Sequence, residues 1–153
     1  MKAKTIALTI SLVFVSVALG FQDDLQIGTW KLNEAKSKFA GKARNQTVVY
    51  EAAGDQTKVT VDGVDENGAA VHNEWTGKFD GKDYPLTGDA TADARSYRMI
   101  NKNTMALTVK KDGKATVTGR IVVSADGKSR TVTTTATDAQ GKKVTNVAVY
   151  DKQ

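Results

Sequence analysis

One histidine and no cysteine in 153 residues leave few catalytic options. A serine triad would have to take its base from His72, and no Gly-x-Ser-x-Gly turn exists to hold the nucleophile. Thiol catalysis and thiolate zinc sites are excluded. His72 with one neighbouring carboxylate, Glu74, falls short of a metal-ligand set. Asp62 and Asp65 lie in or beside a turn, where solvation accounts for paired carboxylates. No glycine-rich loop opens a helix to cradle phosphate. The sequence points away from an enzyme, and it implies no metal and no cofactor.

What remains is recognition chemistry. Tyr50, Trp75, Tyr97, Met105 and Leu107 offer aromatic and apolar surface, and Tyr150 and Arg120 offer groups to hold a polar end. Whether they meet depends on strand parity, because successive side chains point to opposite faces of a sheet. Trp75 shares parity with Val71, Asn73, Gly77 and Phe79, which predicts an inward indole. His72 then faces the other way, beside Glu74. Ala115, Val117, Gly119, Ile121 and Val123 form the apolar face of their strand, which sets Arg120 outside unless a bulge at Gly119 reverses it. Arg130 shares a face with Val132, Thr134 and Ala136 and starts its strand, which makes it a candidate for the mouth of the enclosed interior.

The elements that must position these residues are short strands. Strand-like segments are expected at about residues 27–32, 46–51, 58–64, 70–79, 82–86, 95–100, 104–110, 115–123, 130–137 and 144–151. Asn67-Gly68 reads as a tight hairpin with both residues at positive φ, and Asp-Gly-Lys recurs at 80, 112 and 126 as turn chemistry. Pro85, the only proline, marks an edge or interrupted strand. Asn33 can cap one short helix over residues 34–39, with Gly41 as its stop. Ten antiparallel strands at this spacing predict a sandwich or an up-and-down β-barrel. The run Thr131 to Thr137 favours the barrel, because inward hydroxyls need partners or water that a dry core lacks.

Residues 1–20 have the composition of a secretory signal. Lys2 and Lys4 precede an apolar stretch from Ile6 to Leu19, and Ala18-Leu19-Gly20 supplies small residues for cleavage after Gly20. The apolar run is short for a bilayer-spanning helix, and Gln22-Asp23-Asp24 follow it at once. The expectation is a single domain over residues 21–153, secreted or periplasmic, with no stable membrane insertion after cleavage. The formal charge of +5 becomes +3 once Lys2 and Lys4 are gone, with 20 basic residues against 17 acidic. Lysines are scattered through turns, which excludes a nucleic-acid footprint. Asn45-Gln46-Thr47 matches a glycosylation acceptor.

Gly28-Thr29-Trp30-Lys31-Leu32 at the start and Val149-Tyr150-Asp151-Lys152 at the end resemble the calycin superfamily, most closely its fatty-acid-binding proteins. The lipocalins share the Gly-x-Trp and are exported, so the resemblance implies a secreted bacterial lipocalin-like barrel. It implies that Trp30 closes one end beneath a late-strand basic side chain, Arg130 or Arg120. The fatty-acid carriers hold a carboxylate with Arg-x-Tyr on the last strand and a second Arg two strands earlier. Tyr150 matches the Tyr, Ala148 stands where the first Arg would be, and Arg120 falls where the second would sit. Their strand gap would fall near residues 87–93.

The expected function is an exported barrel that binds an apolar or amphipathic small molecule through Tyr150, Arg120, Trp75, Tyr97 and Tyr50. The competing expectation is a filled barrel that acts as a protein-interaction or structural module, for example a protease-inhibitor-like binder. The interior volume separates the two. The oligomeric state is not legible.

Overall fold

Period-two alternation of apolar and polar residues makes each segment a strand with one face to bury, and closure into a cylinder buries all ten. The computed structural model describes residues 24–138 and 140–153, so the expected leader lies outside the described residues. The strands are β1 (Gly28–Leu32), β2 (Arg44–Ala53), β3 (Gln56–Val64), β4 (Ala70–Gly77), β5 (Tyr84–Thr87), β6 (Ala94–Asn101), β7 (Thr104–Lys111), β8 (Lys114–Val123), β9 (Ser129–Thr137) and β10 (Lys143–Lys152). Each pairs antiparallel with its sequence neighbours, and β1 pairs with β10 to close the barrel. The closing register sets Trp30 against Lys152 and Leu32 against Tyr150. Closure leaves no free sheet edge.

The helix is shorter than expected. Asn33 does cap it, accepting from the Lys36 amide at 3.2 Å, but a single 3-10 turn over Glu34–Lys36 is all that forms. The chain is then captured by the sheet: Lys38 exchanges backbone hydrogen bonds of 2.7 and 2.8 Å with Val147 of β10. Two ladder bonds outweigh another helical turn.

The turn at Asn67-Gly68 is also corrected. Only Gly68 takes positive φ, and the Asp65 carboxylate organises the turn by accepting from the Asn67 and Ala69 amides. The tight turn with two left-handed residues occurs instead at Asp112 (φ 50°) and Gly113 (φ 75°). Pro85 sits in β5, which contributes two residue pairs to β4 and two to β6. The barrel is closed there, so the gap expected near residues 87–93 is a thin seam and not an opening.

A dense aromatic group backs this seam. The rings of Trp75 and Tyr97 meet edge to face at 4.9 Å, and Trp75 meets Tyr84 at 5.7 Å and stacks on Phe79 at 6.3 Å. The Trp75 indole also donates to the Arg95 carbonyl at 2.8 Å, tying β4 directly to β6. Gly77 is what lets these rings close. A Cβ there would lie 2.5 Å from Tyr84 Cγ and 2.6 Å from Trp75 Cζ2. Gly77→Val is therefore expected to lower stability by about 1–3 kcal/mol through overpacking, read as a lower urea midpoint. Thr76→Ala, on the exposed face, serves as the control within about 0.5 kcal/mol. Equal midpoints for the two variants would contradict this packing.

Candidate functional site

The barrel encloses a cavity of about 590 Å³, open at one end. Its walls are Val48, Val61, Leu107, Val117, Ile121, Val132 and Ala148, and its mouth is formed by Phe39, Arg44, the β3–β4 turn and residues 88–92. Two bulges shape the rim: Gln46 is left unpaired on β2 and Thr116 on β8. An extra residue in one strand bends it and re-aims its side chains, and Thr116 and Val117 both reach the cavity.

The opposite end is closed by Trp30, which is fully buried and donates its indole N–H to the Gln26 carbonyl at 2.8 Å. Arg130 lies over it. The guanidinium carbon is 4.8 Å from the Trp30 ring centre and 4.9 Å from those of Tyr50 and Tyr150. Lys152 approaches the Trp30 ring as well, at 5.1 Å. Arg130 therefore sits at the closed end and not at the mouth, which corrects the expectation from its place at the strand start. Of the two arginines weighed for the position over Trp30, Arg130 occupies it.

A second buried arginine, Arg95, was not singled out from the sequence. It stands on β6 with the parity of Tyr97, and that shared parity was the signal that could have found it. Its Nη2 donates to Asn73 Oδ1 at 3.2 Å, its Nη1 to the Tyr97 hydroxyl at 3.5 Å, and its Nε has no partner. Among the described residues no carboxylate lies within ion-pair distance of Arg95 or Arg130.

Tyr50, Tyr97 and Tyr150 all line the cavity. Tyr150 donates its hydroxyl to the Asn45 carbonyl at 3.0 Å. Burial pushes its pKa from 10.0 up to about 12, against the opposing charge of Arg130. Burial raises the Tyr50 phenol further, reinforced by Tyr97 and opposed by Arg130. Both phenols therefore keep their protons at neutral pH and act as donors.

Two expected site residues are elsewhere. Arg120 is exposed on the outer face of β8 among Thr118, Val122 and Thr133. Gly119 pairs regularly with Leu107 and Thr134, so no bulge reverses the parity and Arg120 cannot reach the interior. Trp75 does face inward, yet Phe79, Tyr84 and Tyr97 enclose it and it does not reach the cavity wall. Met105 is likewise buried away from the cavity, whereas Leu107 lines it. His72 lies on the outer face, with Nδ1 2.7 Å from Asp62 Oδ1 and Nε2 3.7 Å from Glu74. Among the described residues no group of three or more His, Cys, Asp or Glu is arranged to hold a metal ion.

The raised Tyr150 pKa has a sign that can be checked. A buried acid kept neutral contributes stability that is complete below its unfolded value and is lost as pH climbs through its folded one, here from 10.0 to about 12. The urea midpoint of the wild type should fall as pH rises from 10.0 to about 12. Tyr150→Phe should fall less over the same interval, and an equal fall would overturn the assignment.

No protein family matches the chain, and no curated protein matches it. Among solved structures the fold is similar to a redesigned β-barrel, mFAP1, bound to DFHBI. The two share 14% identity over 84% of this chain and 95% of that one, with a TM-score of 0.47. At that overlap the likeness carries no argument about function.

Proposed function

We propose that this chain is an exported calycin-type barrel that carries an apolar or amphipathic small molecule in its interior and catalyses no reaction. The observation that supports it is the cavity of about 590 Å³, open at one end and walled by aliphatic side chains with tyrosines on one flank. Small-molecule sites have this size and this mixture of apolar wall with a few convergent polar groups. The volume counts against the filled-barrel interaction module, whose interior would be closed by side chains. Calycin type is supported by Gly28-x-Trp30 at the closed end beneath Arg130. Export rests on the charge and apolar pattern of residues 1–20.

Burial of the ligand's apolar part against Val61, Leu107, Val117 and Val132 supplies the driving force, at about 25 cal/mol per Å² removed from water. Tyr50, Tyr97 and Tyr150 orient it. Native mass spectrometry of protein purified from its own host compartment is expected to retain a molecule of defined mass, on a chain that begins at Phe21. A neutral lipophilic fluorophore should bind the emptied protein, and Leu107→Trp, which fills the cavity, should weaken it about tenfold or more while unfolding cooperatively. Empty protein throughout, with probe binding unchanged by Leu107→Trp, would sink the proposal.

A further inference from the structure

The charges of this chain are divided between the two halves of the barrel. Residues 21–93, which supply β1 to β5, carry 8 basic and 13 acidic side chains. Residues 94–153, which supply β6 to β10, carry 12 basic and 4 acidic ones. Arg95 and Arg130 are buried, and the other basic residues of this half lie on the outside. Lys110 and Lys111 pair with Asp83 and Asp93 of the acidic half. Lys114, Lys142 and Lys143 stand at the mouth end of the basic wall, Lys102 and Lys128 in its closed-end turns, and Arg98 and Arg120 between. All of these are exposed, and among the described residues none has a carboxylate within ion-pair distance. Of the four acids, Asp126 and Asp138 accept from amides of their own turns and Asp151 from Asn33.

The wall framed by these cations is otherwise nearly uncharged. Over Thr104–Thr108 of β7, Thr118–Val122 of β8 and Thr131–Thr135 of β9, every outward residue is Thr, Ala or Val except Arg120. The exposed large hydrophobic residues of the described chain, Ile100 and Val122 at 41% each, both stand here. β8 is the middle strand of these five, so Arg120 and Val122 lie on the crest of the wall. The opposite wall differs, because its acids Asp62 and Glu74 already face His72 and Lys58.

We propose that the outer wall of β6 to β10 is a docking surface for an anionic lipid bilayer, on which the barrel lies peripherally with β8 against the headgroups. The inference is independent of any cargo in the cavity. The spacing of the cations selects this partner. A nucleic-acid strand carries its charges at fixed steps of about 3.4 Å, whereas Lys114 and Arg120 are about 20 Å apart along β8. In a fluid bilayer anionic lipids gather beneath whatever cations approach, so a sparse frame suffices. The wall offers no aromatic face on which bases could stack, while Ile100 and Val122 offer apolar contact to the headgroup boundary. A second copy presents no free acidic wall to it, since those acids are paired.

The chain has no cysteine, so one label can be placed on either wall. Val122→Cys and Thr76→Cys, each carrying nitrobenzoxadiazole, are mixed with phosphatidylcholine vesicles in which about one lipid in three is phosphatidylglycerol. Emission from position 122 should shift to the blue, and emission from position 76 should not. In sedimentation, unlabelled protein should bind pure phosphatidylcholine about tenfold or more weakly, and added salt should weaken binding to the anionic vesicles. Arg120→Glu should lose about tenfold in vesicle affinity. Lys82→Glu makes the same change in net charge on the acidic half, beyond the screening distance, and should stay within about twofold.

A shift at both labels or at neither, equal binding to the two lipid mixtures, or equal losses in Arg120→Glu and Lys82→Glu would each overturn the docking surface. Soluble polyphosphate bound more tightly than the anionic vesicles would assign the wall to a linear polyanion and overturn it as well. So would lipid-free self-association that Arg120→Glu abolishes, which would give the wall to a second copy.

Discussion

The structure depends on one buried cation. Arg130 arrives from β9, Trp30 from β1, Tyr50 from β2 and Tyr150 from β10, so the three rings around its guanidinium belong to the strands on either side of the closure. The β1–β10 ladder is only three pairs long. A short ladder does not fix closure alone, and the cation–π cage fastens β1, β2, β9 and β10 together from inside. The guanidinium's planarity matters, because a flat delocalised cation can lie against several ring faces, where a point charge on a flexible stem cannot. Lys152 approaches the same indole and hydrogen-bonds the Leu25 carbonyl at 3.3 Å, which ties the approach segment to the last strand.

The barrel's other thin place is solved differently. β5 has four residues, one of them a proline without an N–H, and it lends two pairs to each neighbour. The seam is carried by side chains instead of ladder bonds. Trp75 reaches past β5 to the Arg95 carbonyl, and Tyr84 and Tyr97 meet its ring edge to face. This fixes the backbone of Arg95 and accounts for why Trp75 is packed and does not face the cavity. An indole that bridges two strands has no face left for a ligand.

Strand order, count and most boundaries were legible because a half-buried strand writes its parity into the sequence. That parity correctly put His72 outside, Trp75 inside and Arg120 outside; the pull toward Arg120 as a site residue came from matching end motifs. What was not legible depended on long-range contacts. The helix after β1 stops because Lys38 meets Val147, more than a hundred residues later. The Asn67-Gly68 turn takes its form from the Asp65 side chain, a competitor to the two-residue geometry that the dipeptide alone suggests. Arg95 was missed because an arginine in a strand reads as exposed by default. Only its place beside Tyr97, with Asn73 on β4 across the thin seam, makes it interior.

The cavity itself follows from an asymmetry of side-chain size. On β2, β4 and β6 the inward residues include Tyr50, Trp75 and Tyr97, which fill their side of the barrel. On β8, β9 and β10 the inward residues include Val117, Val132, Thr134 and Ala148, which do not reach across. In a layered protein such a deficit would be removed by the layers moving together, since interiors tend to native packing density. A closed cylinder cannot do this without breaking ladder hydrogen bonds, so the diameter is set by strand number and stagger and the deficit stays as volume. The threonine run on β9 belongs to the same argument. Thr134 lines the void, while Thr131, Thr133 and Thr135 face outward. The cavity in this chain is a consequence of where the sequence places its small residues.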